Sequence, residues 1–67
     1  MLEHRFTNRQ IEAAADALIL EHGNRAVIVA ANRAKDLNSG GLKALAELWL
    51  KIRERIIVKE QMRRMTS

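Results

Sequence analysis

Gly41 to Arg64 reads GLKALAELWLKIRERIIVKEQMRR, and the whole chain contains no proline. Nothing after Gly41 in that stretch interrupts a helix, so it predicts one helix, about 36 Å long at roughly 1.5 Å per residue. At about 100° per residue, Leu42, Leu45, Ala46, Trp49, Leu50, Ile52, Ile56 and Ile57 fall on one broad apolar side. That side is wide enough to hold two other helices. Past Ile57 the same side carries Lys59, Glu60, Arg63 and Arg64. The core contact is therefore expected to end near Ile57, with the helix running on as an overhang.

The 67 residues make one domain, with residues 1–6 and 65–67 expected to fray. A chain this short buries only about 60% of its unfolded surface. It has no cysteine, so neither a disulfide nor a thiolate metal site can staple it. Tight helix packing and self-association are the remaining routes to stability. The longest apolar run, Ala26 to Ala31, is far too short to cross a bilayer. No signal peptide is visible, so the expected compartment is cytoplasmic.

Upstream, Thr7 and Gln10 have the spacing of a capping box, and Phe6 and Ile11 that of a hydrophobic staple. They predict a first helix with a core stripe of Ile11, Ala14, Ala15, Leu18 and His22, ended by Gly23 in a left-handed conformation. Asn24 is placed to cap a second helix over residues 25–37, with Val27, Ala30, Ala31, Ala34 and Leu37 inward. The run AVIVAA has strand-like residue types, but a lone strand would leave its backbone unpaired. Asn38 to Gly41 form the next turn, with Ser39 a candidate cap for the third helix. Ala13, Ala14, Ala15 and Ala17 match Ala26, Ala30, Ala31 and Ala34 as small residues that let two backbones approach. The expected fold is thus all-α: a three-helix bundle in which a short helical hairpin packs on a long, overhanging C-terminal helix.

Two sets of residues are left over. Leu20, Ile28, Val29, Val58 and Met62 lie off the predicted core, and they are expected to contact a partner or form a homodimer. Lys51, Arg55, Lys59 and Arg63 recur every four residues and form a basic ridge suited to an anionic partner. Residues 1–50 carry six basic and six acidic side chains, whereas residues 51–67 carry six basic and two acidic. The whole net charge of +4 therefore belongs to the last segment. No aromatics interleave with the ridge, so any nucleic-acid binding there would be sequence-tolerant.

The residues His22-Gly23-Asn24-Arg25-Ala26, then Ala31, Arg33, Leu37, Gly41, Trp49 and Ile52, carry a resemblance. From Glu21 to Ile52 the chain resembles a set of very short alphaproteobacterial proteins, a domain of unknown function. They share an HG-[DN]-R-A start, a glycine turn and a tryptophan in the last helix. Leu42 stands where that family usually has an acidic residue, and the basic extension after Ile57 lies outside its pattern. The resemblance implies a small helical protein and brings no activity, cofactor or site residue. Gln10-Ile11 and Glu21-His22-Gly23 also look like the first helix of TetR-type repressors, but the helix-turn-helix spacing that should follow fails at Gly40 and Gly41.

No catalytic signature emerges. His4 and His22 do not group with Asp16 or Glu21 at a metal-ligand spacing. Ser39 has no preceding strand to make a nucleophile elbow, and Gly40-Gly41 lack the lysine-serine pair of a phosphate loop. Asp16 reads as a solvated carboxylate and Trp49 as a core residue. The expectation is a non-catalytic helical protein-interaction or regulatory module without cofactor or metal, self-associating as a homodimer. The alternative is a sequence-tolerant nucleic-acid-binding protein using the basic C-terminal helix.

Overall fold

The computed structural model describes residues 7–66, and their regular structure is all helical. Helix α1 spans Asn8–His22, α2 spans Ala26–Ser39 and α3 spans Lys43–Thr66, with a single 3-10 turn, Gly23–Arg25, between the first two. The capping box at the start of α1 is complete. The Gln10 backbone N–H donates to Thr7 Oγ1 at 3.2 Å, and the Thr7 N–H donates to Gln10 Oε1 at 2.9 Å. Phe6, the other half of the expected staple, lies outside the described residues, as does His4.

Gly23 ends α1 with φ +57, a conformation costly to any residue with a Cβ. Asn24 does not cap α2. It sits inside the 3-10 turn, and the preceding residue of α2 is Arg25, with no side-chain cap. Nor does Ser39 cap α3, because α2 continues through it. The α2–α3 turn closes by backbone alone: the Leu42 N–H donates to the Leu37 carbonyl at 2.9 Å and the Gly41 N–H to the Asn38 carbonyl at 3.1 Å. With Gly41 at φ +81 this is a Schellman motif.

The helices pair differently from the expected hairpin. The most extensive contact is α2 against α3, while α1 and α2 touch each other least. Ala26, Ala30 and Ala34 are the buried residues of α2, and Ala46, Ile52 and Ile56 those of α3. On α1 only Ile11 and Ala15 are buried; Ala13 and Ala17, expected to face α2, are exposed, and so is His22. Ile11 shares a groove with Ile52, Glu12 bonds Arg55, and Asp16 bonds Lys59. Residue numbers rise together along that seam, so α1 runs parallel to α3, and α2 runs antiparallel to both.

The core is small in side-chain size. Five of the eight buried hydrophobics are alanine, and Ile56 is the largest fully buried residue. Leu42, Leu45 and Leu50, placed on the core side by their spacing, are 51%, 40% and 41% exposed. Trp49 is half-buried rather than central. Leu45 and Trp49 line an open groove beside Ile11 of α1, and Leu50 lines another beside α2, so neither is closed over by the packing of the three helices.

Candidate functional site

The seam between α1 and α3 joins charges far apart in sequence. Arg55 Nε lies 2.9 Å from Glu12 Oε1, and Lys59 Nζ lies 3.0 Å from Asp16 Oδ1 and 3.4 Å from Glu12 Oε2. Asp16 is exposed, as expected, but it is an ion-pair partner rather than a purely solvated carboxylate. The hydrogen bond to Asp16 is the largest influence on Lys59 and raises its pKa above the ordinary 10.5. Partial burial opposes that, and the negative fields of Asp16 and Glu12 reinforce it.

This seam changes the meaning of the basic ridge. Of Lys51, Arg55, Lys59 and Arg63, the middle two are held by α1 carboxylates 43 and 47 residues away in sequence. Their charge is compensated within the chain. The seam also shortens the overhang. Lys59 and Glu60 are half-buried, and Asn24 shares a hollow with Glu60, Arg63 and Arg64, so the end of α1 accompanies α3 past Ile57. From Gln61 to Met65 all side chains are exposed, and the helix runs through Thr66.

The leftover apolar residues divide in the same way. Leu20 is 88% exposed, Ile28 58%, Val58 42% and Met62 60%. Val29 is half-buried and leaves this set. Leu20 lies about 180° around α1 from Ile11, and Ile28 about 160° around α2 from Ala30, so each points away from the core on its own helix. Val58, Met62 and Met65 instead share one flank of α3, within about 60° of one another.

Two further grooves border α3. One, of about 300 Å³, runs between the start of α1 and α3 and is lined by Ile11, Ala14, Leu45, Leu48 and Trp49 among others. The Arg33 guanidinium sits 5.5 Å from the Trp49 ring centroid, a cation–π distance. The other, of about 340 Å³, runs between α2 and α3 and brings together Lys35, Lys43 and Arg53 around Leu50. The sequence reading missed this second group because its members belong to two helices and follow no single periodicity.

Among the described residues no three His, Cys, Asp or Glu side chains group as a metal site, and no helix is long and apolar enough to cross a membrane. No family model matches the chain, and no curated protein or solved structure matches it, so the resemblance carried by His22 to Ile52 is not extended to a family assignment.

Proposed function

We propose that the chain is a non-catalytic helical interaction module, acting in the cytoplasm, that pairs with a second copy of itself through the distal flank of α3. The observation that carries this reading is the strip Val58, Met62 and Met65, three large apolar side chains on one helix flank that are 42%, 60% and 83% exposed. Scattered single apolar residues on a surface are ordinary; three aligned on the end of one helix make a seam.

Two-fold pairing is the commonest closed arrangement. An antiparallel crossing would keep the Arg63–Arg64 pairs of the two copies apart.

The test is a double substitution, Val58→Glu with Met62→Glu, followed by size-exclusion chromatography with light scattering. The reading expects a dimer for the native chain and a helical monomer for the variant. An unchanged mass for the variant would place the pairing elsewhere. The basic ridge supports phosphate binding less well, since Arg55 and Lys59 already have carboxylate partners.

A further inference from the structure

The two sides of α3 treat their cations differently. On the α1 side, Arg55 and Lys59 face Glu12 and Asp16. On the α2 side, Lys35, Lys43 and Arg53 line one groove and form no ion pair among the described residues. Arg53 is half-buried even so. An arginine stem laid along a groove leaves its guanidinium free to bond an external anion. Glu47 is the one carboxylate in the groove lining, which leaves a local charge of two positive units. The chain places acids against one flank of α3 and leaves the other flank cationic.

We propose that the α2–α3 groove is a docking track for the phosphate backbone of duplex nucleic acid, read without regard to sequence. Geometry selects a polyanion over a single phosphate. Lys43 and Arg53 are ten residues apart on one helix, about 15 Å along its axis. One small anion cannot sit on both, whereas a duplex offers a charge every 1.7 Å or so of its length. Lys35 stands on the opposite wall, on α2, so the cations bracket the groove. The Asn38 side chain adds a neutral hydrogen-bonding group at the turn end. No aromatic residue lines the groove, so nothing there stacks on unpaired bases. That favours duplex over single strand. Val58, Met62 and Met65 are not among the residues lining the track, so a dimer formed through them would present it twice.

Fluorescence anisotropy with a labelled duplex at about 50 and about 200 mM salt tests this, using the full chain. The native protein should bind at the lower salt and weaken steeply at the higher. The triple variant Lys35→Gln, Lys43→Gln, Arg53→Gln should lower the slope of log K against log salt by two to three units, at about one per contact. Lys43→Gln alone, in the exposed first turn of α3, should lower it by about one. The control variant Arg9→Gln, Arg25→Gln, Lys51→Gln removes the same charge elsewhere and should leave the slope nearly unchanged. Equal losses in the two triple variants would reduce the effect to net charge and overturn the proposal. So would absence of duplex binding at low salt, tighter binding of a single strand, or binding only to vesicles containing phosphatidylserine.

Discussion

The two seams of α3 are built on opposite principles. Against α2, contact is made by small residues: Ala26, Ala30 and Ala34 leave room for Ala46 and Ile56 to approach. Against α1, contact is made by Ile11 and Ala15 at one edge and by the Glu12–Asp16–Arg55–Lys59 cluster at the other. The first seam is closely packed at its alanines and intolerant of volume change there. The second is wetter, with Arg55 and Glu12 side chains 40% and 42% exposed, and its ion pairs are screened by water and salt. The difference teaches how a chain with so few large buried residues can still hold three helices. Alanine packing joins two, and charge fixes the register of the third.

The comparison breaks most visibly at Ile56, which is fully buried. Ile56→Ala should cost about 2–5 kcal/mol. At roughly 0.05–0.15 kcal/mol per residue, that is much of the stability a domain of this size holds. Urea denaturation measures it, and a loss below about 1 kcal/mol would mean that the alanine seam does not carry the fold. Trp49→Ala should cost less, about 1–2 kcal/mol, because the ring is half-buried and supported by Arg33 at 5.5 Å. Read as a core residue from its spacing alone, Trp49 would cost about 3–5 kcal/mol, so thermal unfolding of this variant separates the two placements.

The smallest expected effect is on the charged seam. Lys59→Gln should cost under about 1 kcal/mol, since exposed pairs give little and Asp16 is 63% exposed. Its pH dependence is the sharper signature. A raised folded-state pKa means the lysine contributes stability below its ordinary 10.5 and loses it as pH rises through the higher folded value. The native chain should therefore lose melting temperature relative to Lys59→Gln above about pH 10.5 and not below it. Parallel curves across that range would show that the pair is not formed.

Local features were legible in the sequence and long-range ones were not. Thr7 and Gln10 are three residues apart, and Asn38 to Gly41 are contiguous, so capping chemistry announces them. The burial of Ile52 and Ile56 follows from the helical period of α3. That Leu42, Leu45 and Leu50 are exposed does not, because it depends on how closely the neighbouring helices close over α3. The Glu12–Arg55 and Asp16–Lys59 pairs each span 43 residues, and no periodicity within one helix reveals them. For the same reason a ridge every four residues looks uniformly cationic in sequence, although Arg55 and Lys59 are compensated in space. The Lys35–Lys43–Arg53 groove was invisible for the converse reason: its residues lie on two helices and meet only when α2 and α3 fold together.

The central claim is that the distal flank of α3 is completed by a second copy. Sedimentation equilibrium of the native chain at micromolar concentration, with amide exchange read over residues 58–65 of the same samples, tests it most directly. The account predicts a mass of twice 7.6 kDa and protection over that segment that rises with protein concentration. A 7.6 kDa species at every concentration, with fast exchange from Val58 onward, would contradict it.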